Sequence, residues 1–106
     1  MFANLTPAEF IARQDAGELW QLLDVRQPWE TEIAKIAESL IIPMPEIPAR
    51  YGELDAARPV AVLCHSGGRS ARVAGFLVQQ GFARVANIDG GIDAWARYCD
   101  PSLARY

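Results

Sequence analysis

The segment Pro59 to Leu77, PVAVLCHSGGRSARVAGFL, decides the fold, because it joins the clearest strand of the chain to its clearest helix. The first five residues are apolar on both faces, which is typical of a central strand in a parallel sheet. A helix is predicted from Ser70 to Gln80, with Gly81 as its stop. A strand that leads through a short loop into a helix indicates an α/β fold, in which ligands bind at the carboxyl ends of strands.

The same alternation extends outward in both directions. Thr6-Pro7-Ala8-Glu9 combines a capping box with proline at the first helical position, and predicts a helix that runs to about Ala16. The other predicted strands are Trp20–Val25, Ser39–Ile42 and Arg84–Ile88, and the other predicted helices are Pro28–Ala37, one or two turns in the proline-rich segment 43–54, and Gly91–Tyr98. Alternating strands and helices predict a mainly parallel sheet covered by helices.

Length and charge limit the classes of function. A chain of 106 residues suits one domain, here residues 1–106, and its net charge of −3 does not favour nucleic acid or an anionic membrane as partner. No apolar run approaches the roughly 18 residues of a membrane span, and the first residues do not resemble a signal peptide. A cytoplasmic location is therefore the expectation.

Two cysteines and one histidine, Cys64, Cys99 and His65, are too few for a structural zinc site, which usually needs four such ligands. No metal and no organic cofactor is expected. A domain of this size does not need a disulfide, although a Cys64–Cys99 bridge remains an alternative at this stage.

Cys64 follows the central strand and precedes two glycines. Gly67 and Gly68 allow positive φ angles, which would turn successive N–H groups inward toward the sulfur. The positive end of the following helix and the guanidinium of Arg69 would favour the thiolate further. These features predict an exposed, nucleophilic Cys64. The alternative is a small buried cysteine beside ordinary turn glycines.

Three segments resemble the rhodanese family of sulfurtransferases, specifically its small single-domain members. They are LLDVRQPWE (Leu22 to Glu30), VLCHSGGRSARVAGFL (Val62 to Leu77) and NIDGGIDAWARY (Asn87 to Tyr98). The resemblance implies a rhodanese-like α/β fold, with a central, mainly parallel five-stranded sheet and helices on both faces.

The resemblance also implies a mechanism. Cys64 would take the outer sulfur of an anionic donor such as thiosulfate, hold it as a persulfide, and pass it to cyanide or a thiol. A protein persulfide is a possible partner. The implied substrate-binding residues are His65, Ser66, Gly67, Gly68, Arg69 and Ser70, and the free guanidinium of Arg69 would attract the anionic donor. Asp24 and Arg26 match the family's Asp-Val-Arg motif, where a supporting role in holding neighbouring loops is expected.

One segment departs from the family pattern. Where the family often has Gly-His-Ile-Pro-Gly-Ala, residues 34–39 read AKIAES, so that Glu38 replaces a glycine. The geometry of this turn is therefore open.

Two other functions are compatible with a cysteine in such a loop. Cysteine-dependent phosphatases and arsenate reductases place five residues between cysteine and arginine, whereas only four separate Cys64 from Arg69. A non-catalytic rhodanese-like interaction module is the second alternative, although such modules usually lack the cysteine.

Overall fold

The computed structural model describes residues 1–106 and alternates strands with helices along the chain. The strands are β1 (Ala3–Leu5), β2 (Gln21–Asp24), β3 (Leu40–Ile41), β4 (Val60–Leu63) and β5 (Val85–Ile88). The helices are α1 (Pro7–Asp15), α2 (Pro28–Ile33), α3 (Ile47–Arg50), α4 (Gly68–Gln79) and α5 (Gly91–Tyr98), and single 3₁₀ turns flank α3. None of the helices combines the length and apolarity that crossing a bilayer requires.

The five strands form one sheet in the order β1-β5-β4-β2-β3, and every pair of neighbours is parallel. The predicted α/β fold with a five-stranded sheet is confirmed. Strand β4 lies at the centre, as its apolar sequence indicated, and all four of its residues are buried. Cys64, the residue after β4, therefore lies at the carboxyl edge of the sheet.

Both faces of the sheet are covered. Val60 and Val62 of β4 face one apolar cluster, which includes Val73 and Leu77 of α4. Ala61 and Leu63 face a second cluster on the opposite side, where Phe10 of α1 and Trp95 of α5 pack. Successive side chains of a strand point to opposite faces, so a strand between two helical layers must be apolar throughout.

Three differences from the sequence prediction exceed a shift of one residue at an element boundary. Strand β1 was not predicted, because a three-residue strand with one buried side chain carries no periodicity. Helix α2 ends at Ile33, earlier than expected. Helix α4 begins at Gly68, two residues earlier than expected, because Gly67 takes the N-cap with φ +112°. Gly68 is therefore helical, and only one of the two glycines uses a positive φ.

The segment 34–39, which departs from the family pattern, contains a strained backbone conformation. Glu38 has φ +66° and is the one non-glycine residue of the chain with positive φ. It occupies the position where the resemblance implies a glycine. The turn thus keeps a left-handed conformation although its residue has a Cβ atom, and such a conformation costs roughly 1–2 kcal/mol for an L-residue.

We predict that Glu38→Gly stabilises the protein by about 0.5–1 kcal/mol, because relief of the left-handed strain exceeds the entropy that glycine adds to the unfolded chain. Urea unfolding measures the change. Glu38→Ala is the matched control, since it removes the exposed carboxylate but keeps the Cβ atom, and it should leave the free energy of unfolding nearly unchanged. A Glu38→Gly protein no more stable than the alanine variant contradicts the prediction.

Candidate active site

Cys64 lies beneath a loop of residues 64–67, named here the Cys64 loop, which joins β4 to α4. The backbone of the loop reaches the surface, where Ser66 and Gly68 are exposed, but the Cys64 residue is only 1% exposed. The expectation of an exposed sulfur is therefore wrong. The loop turns back over the sulfur, and Cys64 packs with the apolar cluster on the α4 side of the sheet.

The environment of the sulfur is polar on its loop side. The N–H group of Gly67 donates to Sγ at 3.1 Å, and the hydroxyl of Ser70 lies 3.2 Å from Sγ. Burial favours the neutral thiol, but the hydrogen bond with the Ser70 hydroxyl and those from the N–H groups of Ser70, Gly67 and Ser66 outweigh it. The pKa of the Cys64 thiol is consequently lowered.

Helix α5 holds the Cys64 loop from the other side. The N–H groups of Ile92 and Asp93 donate to the carbonyls of Cys64 and His65 at 2.9 and 3.0 Å. Gly91 permits this approach, because a Cβ atom there would collide with both carbonyl groups, and its φ is +59°. Gly91, the first residue of α5, is thus a structural requirement of the loop.

Arg69 is paired with a carboxylate. Its guanidinium donates to both oxygens of Glu30 on α2, at 2.6 and 2.8 Å, and the Glu30 side chain is 3% exposed. Glu30 raises the pKa of Arg69. The same contact, aided by the N–H of Gln27, lowers the pKa of Glu30 to about 2 despite burial. Much of the positive charge expected to attract a donor is therefore already balanced.

Tyr106 is a neighbour of the loop that no sequence signal indicated. Its ring stacks on that of His65 with centroids 4.2 Å apart, and its hydroxyl donates to Glu30 at 2.9 Å. Trp29, which is 60% exposed, meets Tyr106 edge to face. His65 Nε2 is buried without a hydrogen-bond partner. A contact between residues 65 and 106 depends on the whole fold, so local patterns could not predict it.

Asp24 and Arg26 form a fully buried ion pair behind the site. Asp24 Oδ2 accepts from Arg26 Nη2 at 2.7 Å, and both side chains are inaccessible to solvent. Arg26 also donates to the carbonyls of Glu30 and Ala34, which ties α2 to the end of β2. The supporting role of the pair stays a prediction, with which these contacts agree, and the Glu30 carboxylate binds Arg69 and not Arg26.

The two cysteines are separate. Cys64 and Cys99 are both free, and Cys99 packs against the core on the α5 side. Cys99 lines a surface cavity together with Thr6 and Asp89, whereas none of the five cavities is lined by Cys64. A reagent can reach the Cys64 sulfur only if the side chains or the loop above it move.

The Glu30–Arg69 pair predicts an acid sensitivity. Because the pKa of Glu30 in the folded protein, about 2, lies below its ordinary value of 4.5, the pair stabilises the fold above pH 4.5. This stabilisation decreases as the pH falls toward 2. We expect Glu30→Gln to lower the free energy of unfolding by about 2 kcal/mol at neutral pH. The variant should also lose less stability than the wild type as the pH falls from 4.5, which is the acid limb of the stability profile.

Urea unfolding at a series of pH values measures this effect. Glu32→Gln is the matched control, because Glu32 lies on the same helix, is exposed and has no ion-pair partner. It should leave the profile unchanged. Identical acid limbs for wild type and Glu30→Gln contradict the assignment.

Comparison with known proteins finds relatives in both sequence and fold. The family model described as Rhodanese-like domain matches residues 6–98. A protein named sulfurtransferase from Allochromatium vinosum is 43% identical over 83 residues, which are 78% of each chain. The thiosulfate sulfurtransferase GlpE of Pseudomonas syringae is 33% identical over 94 residues, covering 89% of this chain and 87% of its own. Other relatives are longer, and the chain spans 23% to 30% of their length.

Among solved structures, a rhodanese-related protein from Thermoplasma volcanium superposes with a TM-score of 0.83 and 31% identity. The match covers 92% of this chain and 94% of that protein.

Proposed function

The chain belongs to the rhodanese-like domain family, and on this premise we propose that it is a sulfurtransferase that carries a sulfane sulfur atom on Cys64. The observation that carries the proposal is the polar surroundings of Sγ, to which the Gly67 N–H donates and beside which the Ser70 hydroxyl lies within hydrogen-bond distance. Hydrogen bonds to the charged form favour a thiolate, which is the nucleophilic form of cysteine.

The first step forms the persulfide. The Cys64 thiolate attacks the outer sulfur of thiosulfate and forms a new S–S bond. The original S–S bond of the donor breaks, and sulfite leaves with its electron pair. The electron pair of the thiolate forms the new bond, and the outer sulfur keeps the negative charge that it carried in thiosulfate, so that no proton is needed.

The second step returns the enzyme to its starting form. Cyanide, or the thiolate of an acceptor, attacks the outer sulfur of the persulfide. The bond between this sulfur and Sγ breaks, and its electron pair restores the Cys64 thiolate. The two steps use one nucleophile in turn, as in other covalent catalysis.

The loop residues are assigned two roles in this scheme. The backbone N–H groups of residues 66, 67 and 70 stabilise negative charge on the bound sulfur, as they stabilise the thiolate. His65, Gly68 and Arg69 line the donor's approach. Because Glu30 balances Arg69, we assign less of the donor's attraction to this guanidinium than the sequence had indicated.

The burial of Cys64 limits how a sulfur donor can reach the Sγ atom. A small domain whose nucleophile is 1% exposed must open to accept a donor. The exposed Trp29 contacts Tyr106, whose ring stacks on His65 of the Cys64 loop. Thiosulfate, a thiol and a protein persulfide all remain candidate partners. We propose thiosulfate as the donor for testing, because its outer sulfur is accessible to a thiolate in a narrow site.

The test is the intact mass of the protein before and after thiosulfate, with cyanide added last. A Cys99→Ser variant isolates the Cys64 thiol. The expected result is a gain of one sulfur atom, located on the peptide that contains Cys64 and removed by cyanide. A mass that does not change under any sulfane donor, including small persulfides, contradicts the proposal.

The phosphatase alternative finds less support. Asp24, one conceivable general acid, is fully buried with both oxygens held by Arg26. Asp89, the other, is exposed and lines the cavity beside Cys99. A non-catalytic interaction module would not need the hydrogen bonds that favour a thiolate at Cys64.

A further inference from the structure

The Cys64 sulfur is one end of a chain of polar side chains, of which the mechanism above uses only the first, Ser70. Ser70 Oγ, 3.2 Å from Sγ, donates to Asn87 Oδ1 at 2.5 Å. Asn87 Nδ2 in turn donates to Asn4 Oδ1 at 3.1 Å. Ser70 is fully buried and Asn87 is 4% exposed, whereas Asn4 lies exposed on the edge strand β1. Hydrogen bonds thus connect the sulfur with the surface.

The direction of these hydrogen bonds depends on the charge of Cys64. A serine hydroxyl has one proton to donate, and Ser70 gives it to Asn87 in the observed arrangement. Ser70 Oγ can then only accept from Cys64, which requires the neutral thiol as donor. A thiolate can only accept, so it requires the Ser70 proton for itself. Asn87 Oδ1 would then face a lone pair of Ser70 at close distance.

A half-turn of the Asn87 amide resolves this conflict. The turn places Nδ2 where Oδ1 was, so that the amide donates to Ser70 Oγ and the hydroxyl donates to the sulfur. Oδ1 then faces Asn4, whose exposed amide can turn and donate to it. Oxygen and nitrogen of an amide occupy nearly equivalent positions, so both directions use the same packing.

We propose that Asn87 is a positioning residue, whose amide orientation selects between thiol and thiolate at Cys64 by directing the proton of Ser70. With its oxygen toward Ser70 the site holds a thiol, and with its nitrogen toward Ser70 it holds a thiolate or a persulfide anion. The inference rests on the proposed function only for the use made of the thiolate.

Charged and titratable groups lie on the elements around Cys64: Arg69 on α4, Glu30 on α2, Asp24 at the end of β2 with Arg26 after it, Asp89 after β5, Asp93 on α5, His65 in the loop and Tyr106 beside it. None of them forms a hydrogen bond with the side chain of Ser70 or Asn87. The polar chain therefore acts on the sulfur by a route separate from the Glu30–Arg69 pair.

The experiment measures the rate of Cys64 alkylation by iodoacetamide as a function of pH, in a Cys99→Ser background. Only the thiolate reacts, so the midpoint of the profile reports the pKa of Cys64. Asn87→Asp retains the shape but, as a carboxylate, only accepts hydrogen bonds. We expect about tenfold slower alkylation at neutral pH, which corresponds to a pKa raised by about one unit.

Asn4→Asp tests the same idea from the surface, where folding is not at risk. An aspartate there accepts only, which holds Asn87 Nδ2 toward β1 and Oδ1 toward Ser70. The expected effect is slower alkylation at neutral pH, in the same direction as for Asn87→Asp. Ala3→Asp is the matched control, because it adds the same charge to β1 outside the polar chain and should leave the profile unchanged.

Both aspartate substitutions are repeated in a Ser70→Ala background, which distinguishes an effect of hydrogen-bond direction from an effect of the added negative charge. If the amide acts through the Ser70 hydroxyl, both aspartate substitutions lose most of their effect once that hydroxyl is absent. Equal shifts with and without the hydroxyl, or no shift from Asn4→Asp in the otherwise wild-type protein, overturn the proposal. Alkylation needs no sulfur donor, so these outcomes are independent of whether the protein forms a persulfide.

Discussion

Cys64→Ser is expected to lower the rate of sulfur transfer from thiosulfate to cyanide by at least about a thousandfold, the scale seen when a catalytic nucleophile is removed. A serine hydroxyl stays protonated at neutral pH, and its oxygen cannot form a persulfide. Serine is close to cysteine in size and can accept the hydrogen bonds of Gly67 and Ser70, so the fold should persist. The initial rate of thiocyanate formation measures the loss.

Cys99→Ser is the matched control for this prediction. Cys99 lies at the end of α5, beyond hydrogen-bond contact with the Cys64 loop, and the variant should keep the wild-type rate. An undiminished rate in Cys64→Ser would contradict the mechanism. A loss of activity in Cys99→Ser equal to that in Cys64→Ser would contradict the assignment of a single nucleophile.

The parts of the structure that sequence could predict are those governed by local patterns. The apolar run of β4, the capping box at Thr6 and the helix that begins at Gly91 are each encoded by nearby residues, and each lies where it was expected. The position of Cys64 at the carboxyl end of β4 follows from the same patterns. Local signals thus located the candidate site.

The features that sequence could not predict join residues distant along the chain. Burial of Cys64 depends on the loop turning back and on α5 holding two of its carbonyls. The pairing of Arg69 with Glu30 spans 39 positions, and that of Ser70 with Asn87 spans 17. Such contacts produce no periodic pattern in the sequence from which they could be predicted. The sequence therefore predicted a free charge on Arg69, whereas the structure pairs this guanidinium with the Glu30 carboxylate.

The buried pair of Asp24 and Arg26 should govern stability more than any other polar contact in the protein. Asp24→Asn would leave the Arg26 guanidinium, which has no solvent access, without a counter-charge. Removing one partner of a buried ion pair costs roughly 3–5 kcal/mol. Urea unfolding should show a loss of this size, a large part of the stability of a domain with about 5–15 kcal/mol in total.

A double variant separates the cost of an unpaired charge from the cost of losing the contact. Asp24→Leu combined with Arg26→Met removes both charges, so it should lose less stability than Asp24→Asn, because apolar side chains of similar volume need no counter-charge. Some loss should remain, since Arg26 also binds the carbonyls of Glu30 and Ala34. If Asp24→Asn cost under about 1 kcal/mol, the pair would not hold the fold. If the folded variant kept its stability but lost affinity for thiosulfate, Asp24 would belong to the substrate site instead of the scaffold behind it.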